Sequence, residues 1–170
     1  MQKSRNLQGG LMRTKDREIT NITDIKEILD SCKTCHVAMV DKGEPYLVPL
    51  SYGYWLEGNT LTLYFHSAKE GRKLDVWHVN NKVCFEICRE GEPVHAETPC
   101  NSGYYYSSLI GRGEVVFIED SQEKSRALGL MFEHQTGKKV DFSVQQTQTV
   151  CVFKITAADF TGKRKAKPEK

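Results

Sequence analysis

The sequence predicts a mainly β domain with peripheral helices (α+β), built as an antiparallel barrel of about six strands. Three observations carry this. Short segments rich in branched and aromatic residues follow one another across compact turn signals. Only three stretches place apolar residues at helical spacing. The length of 170 residues suits one domain, and a globular chain of that size removes roughly 70% of its unfolded surface from water, enough to fold without disulfides or a metal.

Residues 1–20 read as a polar N-terminal arm, 21–160 as the barrel domain and 161–170 as a basic C-terminal tail. A first helix is expected to be capped by Thr23 or Asp24, with Glu27 answering Asp24 in a capping box and Ile25, Ile28 and Leu29 as its apolar stripe. Val37–Val40 is a strand that ends at the turn signal Asp41-Lys42-Gly43-Glu44-Pro45. Tyr46–Leu56 and Thr60–His66 follow it in a meander, joined by Glu57-Gly58-Asn59. A second helix places Leu74, Trp77 and His78 on one face and ends at Asn80-Asn81. Val83–Cys88 alternates like a half-buried strand, and residues 91–101 look like a loop. Tyr104–Glu119 is a long strand interrupted by Gly111 and Gly113, a sign of a bulge or bend at a barrel corner. Asp120 caps a third helix that runs to about Glu133 and buries Leu128, Met131 and Phe132; Thr149–Ile155 is the last strand.

Composition narrows the function classes. A net charge of +2 argues against a dedicated nucleic-acid binder, and most of the visible basic bias sits in the last ten residues. No apolar stretch approaches membrane-spanning length and the N-terminus has no h-region, so the expected location is cytoplasmic, with no membrane partner. Six cysteines in such a chain read as reduced thiols.

The densest chemistry lies in His66-Ser67-Ala68-Lys69-Glu70-Gly71-Arg72-Lys73, where a strand gives way to a helix. A helix start offers unpaired N–H groups and partial positive charge, which suit an anion. Ser67 is placed to cap the helix or to donate to a phosphate oxygen. Gly71 permits close backbone approach, Arg72 offers a planar fork and Lys73 a point charge. Neither a Walker loop nor Gly-x-Gly-x-x-Gly is present, and by spacing alone a solvated basic helix start fits as well as a phosphate site.

Other motifs compete. Cys32-Lys33-Thr34-Cys35-His36 matches the c-type haem attachment pattern, but it opens a core strand and the chain shows no export signal. Zinc would need Cys32, Cys35 and His36 with Cys84, Cys88 or Cys100, and the second half lacks Cys-x-x-Cys spacing; buried free thiols are the commoner outcome. No metal site is expected. A Cys32–Cys35 redox pair lacks the βαβ surroundings of a thioredoxin fold. His78 reads as packed, His95 as a loop residue and His134 as a helix-end residue. Tyr104, Tyr105 and Tyr106 read as core or interface more than as a stacking platform.

The strings Gly43–Tyr54, Leu63–Ala68, Gly71-Arg72-Lys73 and Tyr106–Gly113, in that order, resemble the nitroimidazole-resistance branch of the pyridoxamine 5′-phosphate oxidase-like superfamily, over roughly Met12 to Phe160. The resemblance implies a split β-barrel homodimer with FMN at the dimer interface. Val48, Pro49, Leu50 and Ser51 would lie along the isoalloxazine ring, His66 and Ser67 near the ring and ribityl chain, and Gly71, Arg72 and Lys73 at the phosphate. Ser107 and Ser108 would reach the flavin held mainly by the other subunit, and His66 would be the catalytic residue. The activity implied is an FMN-dependent reductase that passes electrons from NAD(P)H or a reduced flavoprotein to a small aromatic or nitroaromatic acceptor. A non-catalytic flavin-binding protein or a haem-binding member of the fold are the alternatives. The oxidase that makes pyridoxal phosphate ends with an Arg and His that grip its substrate. Here the chain ends in Phe160-Thr161-Gly162 and lysines, so that oxidation is not expected.

Overall fold

The structure is a computed structural model that describes residues 15–167. Its strands are β1 (Glu18–Ile19), β2 (Thr34–Asp41), β3 (Glu44–Ser51), β4 (Gly53–Glu57), β5 (Thr60–Ser67), β6 (Lys82–Val94), β7 (Gly103–Phe117), β8 (Cys151–Ala157) and β9 (Phe160–Lys165). Four helices accompany them: α1 (Ile22–Ser31), α2 (Arg72–Val79), α3 (Ser121–Thr136) and the single-turn α4 (Val144–Thr147). The strands form one antiparallel sheet in the order β3-β2-β6-β7-β8-β5-β4, with β9 on β7 and β1 on β9. The sheet curls without closing, the architecture of a split barrel.

Local chemistry explains the first turns. Lys42 and Gly43 both take positive φ, 51° and 90°, so a two-residue turn of the primed kind joins β2 to β3 and matches the strand twist. β3 carries Pro45 and Pro49, which confine it to a sheet edge because proline cannot donate to a ladder on both sides. The stretch expected as one strand from Tyr46 to Leu56 is two, β3 and β4, broken at Tyr52. That side chain is fully buried, and its hydroxyl donates to Leu29 O at 2.8 Å with Cys32 O at 3.2 Å, which pulls the chain off the β3 ladder. Gly53 follows because α3 passes directly over it. A Cβ there would stand 2.6 Å from Met131 Cα and Met131 N.

The long strand β7 has no bulge at Gly111 and Gly113. Its ladder with β6 runs through both residues, and the only register shift in that pair falls between Glu90 and Pro93. On its other side β7 changes partner, from β9 over Tyr106–Gly111 to β8 over Glu114–Phe117. The glycines admit neighbours at that crossing: a Cβ on Gly111 would strike Phe85, and one on Gly113 would stand 2.8 Å from Ile155 Cγ2.

The expected basic tail is therefore shorter than 161–170. Phe160–Lys165 is strand β9, paired with β7 and β1. Its charges find partners that composition does not show: Arg164 pairs with Asp24 and Glu27 at 3.3 and 2.8 Å, and Lys163 Nζ lies 5.7 Å from the Tyr106 ring centroid. Of the expected N-terminal arm, Lys15–Arg17 form a 3-10 turn and Glu18–Ile19 the strand β1, while 1–14 lie outside the described residues. The cap of α1 is Asn21, whose side chain accepts from Thr23 N, not Thr23 or Asp24. Asp24 sits instead in the first turn, where it meets Arg164. The strand of Val83–Cys88 extends to Val94, so the loop is shorter than 91–101.

Two cores result. The barrel interior gathers Val37, Leu63, Phe65, Phe85, Leu109, Phe153 and Ile155, with Trp77 of α2 against Phe153. A smaller core under α3 holds Tyr64, Ala127, Leu128, Met131 and Val152 on the outer face of β5 and β8. His78 differs from the expected inner position. It is exposed and stacks on Phe117 at 4.8 Å, because Leu74, Val76 and Trp77 take the buried side of α2. Among the described residues, no helix is long and apolar enough to cross a membrane.

Candidate functional site

The strand-to-helix segment forms as expected, with one change of roles. β5 ends at Ser67 and α2 starts at Arg72. Ser67 does not cap the helix: its hydroxyl turns back to donate to Ala68 O at 2.8 Å. The N-cap is Gly71, at φ 141° and ψ 154°, a conformation that L side chains rarely adopt, with no atom within 4 Å of where a Cβ would stand. Gly71 O accepts from Leu74 N and Asp75 N, whereas the N–H groups of Arg72 and Lys73 find no partner among the described residues. Two free amides, an open glycine and two cationic side chains thus meet at one helix start.

Arg72 is already held. Its Nε and Nη2 both lie 2.8 Å from Asp41 Oδ2, and its guanidinium stacks 4.3 Å over the Tyr46 ring. Asp41 and Tyr46, at the β2–β3 turn, escape sequence reasoning because they lie about thirty residues away and only the sheet brings them near. Lys73 and Lys69 lie near Cys151, whose thiol is pushed up by burial and by Glu119 and pulled back by Lys124, Lys73 and Lys69.

His66 pairs with Val152 at the end of β5, and its side chain points to the outer face. It keeps an exposed edge, yet its surroundings desolvate it enough to hold the imidazole below its ordinary value, which favours the neutral ring. His66 and Ser51 form the floor of a cleft of about 520 Å³. One wall is the helical stripe Leu128, Met131, Phe132 and Gln135 of α3; the other is the segment from Phe142 to Val150. Phe132 and Phe142 meet edge to face at 6.1 Å. Of these cleft residues only His66 and Ser51 are singled out by the sequence, since apolar residues at helical spacing predict only a packed helix.

The remaining residues are dispersed. On β3, Val48 and Leu50 pair with Val37 and Cys35 and turn toward the barrel, while Pro49 and Ser51 are exposed on the outer face. Ser107 and Ser108 are consecutive on β7, so their side chains face opposite ways. Ser107 lines a groove with Glu27, Arg89 and Arg164. Ser108 lies across from Cys88 and Lys163 on the outer face. Neither serine lines the cleft that holds His66.

The cysteine motif is absorbed by the fold. Cys32 closes α1, donating its N–H to Ile28 O, and its thiol lies 3.4 Å from Cys88 O. Cys35 is fully buried, and burial pushes its thiol far up, as it raises that of Cys32. His36 Nδ1 lies 3.1 Å from Glu86 Oε2. Among the described residues, no cluster of three or more His, Cys, Asp or Glu side chains could hold a metal ion.

An open split β-barrel, with a basic helix start after β5 and an apolar cleft on the outer face of the same strand, defines the class of this fold. The chain belongs to the pyridoxamine 5′-phosphate oxidase family, whose model matches residues 22–164. A candidate 5-nitroimidazole antibiotic resistance protein from Bacteroides thetaiotaomicron is 33% identical, with 86% of each chain covered and a TM-score of 0.74. Flavocytochrome Anf3 from Azotobacter vinelandii is 19% identical over 93% of this chain and 73% of its own, with a TM-score of 0.75. An FAD- and haem-binding protein from Mycobacterium smegmatis is 17% identical over 91% and 76%, with a TM-score of 0.73. At these lower identities the likeness is one of fold. None of the curated proteins matches the chain.

Proposed function

We propose that the chain binds FMN and works in the cytoplasm as a homodimeric reductase of small aromatic acceptors, nitroaromatics among them. The observation that carries this is the start of α2. Two unpartnered amides, the open Gly71 and the side chains of Arg72 and Lys73 suit a phosphate dianion, and they stand on the same strand end as His66 and its apolar cleft. The 33% identity to a candidate nitroimidazole-resistance protein supports the acceptor class. FMN held there would supply the redox chemistry, with NAD(P)H or a reduced flavoprotein as the electron source. The chain's own residues would do the rest. Arg72 and Lys73 anchor the phosphate, the outer face of β3 around Pro49 and Ser51 backs the ring, and neutral His66 donates a hydrogen bond to the acceptor.

The absorbance spectrum of the purified protein, before and after FMN addition, is the test. A flavin band that survives desalting is expected, and no retained flavin after FMN addition overturns the reading. A Soret band with hemin and none with FMN would make the chain a haem binder. Anaerobic oxidation of NADPH with a nitroaromatic acceptor then separates turnover from simple flavin carriage.

A further inference from the structure

We propose that the cleft between α3 and the Phe142–Val150 segment is the seat of the acceptor and that it selects neutral, planar molecules over anionic ones. This rests on the flavin reading only for what stands beyond the cleft's floor. The cleft itself is a feature of the chain.

Three features point to such a ligand. Its volume of about 520 Å³ falls within the range of about 300–1,000 Å³ typical of small-molecule pockets. In a chain with 27% charged residues, no Asp, Glu, Lys or Arg among the described residues lines it, so none of these would offset the desolvation of an ionic ligand. Phe132 and Phe142 give two ring surfaces at an angle, a geometry that takes a third ring by edge or face.

The walls are built before any ligand arrives. Ser125 Oγ donates to Phe142 O at 2.6 Å and ties the far wall to α3. Ser143 and Gln146 close a capping box that sets α4. Gln135 Nε2 donates to Tyr52 O at 2.8 Å and fixes the end of α3 beside the floor. His66 and Ser51 are then the polar groups on the floor that can orient a ligand. One N–H of a neutral imidazole and one hydroxyl match a nitro or carbonyl oxygen. The cleft floor thus lies at the strand ends that carry Ser51 and His66, so a ligand seated in it rests against the end of β3, the strand that would back the ring.

The test uses the full chain without reductant and compares binding of nitrobenzene with that of 4-nitrobenzoate by calorimetry. FMN affinity is measured in parallel. Nitrobenzene is expected to bind at least about tenfold more tightly than 4-nitrobenzoate, and Phe142→Ala to weaken nitrobenzene by about tenfold while leaving FMN binding unchanged. Thr149→Lys, at an exposed turn position on the rim, should reverse the preference toward 4-nitrobenzoate, a gain that an unfolded variant cannot show. Equal or tighter binding of 4-nitrobenzoate by the unaltered chain overturns the proposal, as does nitrobenzene binding that ignores both substitutions. If FMN fails to bind while the nitrobenzene pattern holds, the cleft assignment stands and the flavin reading falls.

Discussion

Arg72 meets any incoming phosphate with one acceptor already in hand. Its ion pair with Asp41 at 2.8 Å fixes the guanidinium over Tyr46, so the side chain is oriented before binding, and a phosphate gains a placed cation at the cost of a nearby carboxylate. Replacing Arg72 and Lys73 together with Ala should weaken FMN binding by about 1.5–3 kcal/mol for each charge-assisted hydrogen bond removed, read by flavin fluorescence titration. Unaltered affinity would put the phosphate elsewhere. His66→Ala should keep the flavin and change the acceptor step, lowering kcat/KM for a nitroaromatic with FMN affinity intact. These roles are legible in the sequence to an uneven degree. His66, Gly71, Arg72 and Lys73 stand within eight residues, and local spacing suffices to find them. Asp41, Tyr46 and Phe142 are not legible, because their parts arise from sheet register and helix packing. Ser67 has the residue type and place of a cap, yet its hydroxyl prefers the adjacent carbonyl.

Among elements, α3 is the clamp that holds the site's geometry. Its end places Gln135 on Lys33 O and Tyr52 O, and His134 against Leu29 O at 3.0 Å with its ring on Tyr52 at 4.5 Å. The same helix crosses Gly53 so closely that an added methyl would press on the helix backbone. Gly53→Ala should therefore cost about 1–3 kcal/mol or more in urea unfolding. Burial and Lys33 both hold His134 below its ordinary value, and burial does the same for His66. From the lowered folded value up to about pH 6.5 the unfolded chain binds more protons, so stability rises with pH through that window and is lost on acidification. His134→Phe, which keeps the ring contact, should flatten that dependence in denaturation midpoints measured from pH 5 to pH 8; an unchanged slope would assign it to other groups. Most elements are visible from periodicity and turn residues, including the Lys42-Gly43 turn. Two divisions are not. Tyr52 ends a strand through hydrogen bonds to a helix end twenty residues back, and β9 hides behind lysines and an arginine whose partners are remote in sequence.

At the scale of the whole molecule, the outer face of β3, β2, β6 and β7 leaves Val40, Leu47 and Ile110 exposed: Ile110 stands in one row with Glu86, His36 and Pro49, while Leu47 lies across from Ala38 and Val40 across from Pro45. An apolar face of this kind suits a second copy, and Ser108 lies on it while His66 lies at its border. Sedimentation equilibrium should therefore report twice the chain mass of 19.4 kDa, and Leu47→Lys should shift it toward the monomer; a monomeric parent chain would leave Ser108 without a route to a flavin. The exchange of partners along β7 has a separate consequence, for the order of events during synthesis. β9 is the last strand of the sheet to leave the ribosome, yet it covers the Tyr106–Gly111 half of β7 and pairs with β1 from the opposite end of the sequence. Until it emerges, that stretch of β7 is an open edge able to recruit strands from neighbouring nascent chains. Completion of the barrel is thus a pairing of very high sequence separation, the kind that slows folding, and the emergence of β9 rather than local collapse sets the moment at which that edge of β7 is covered.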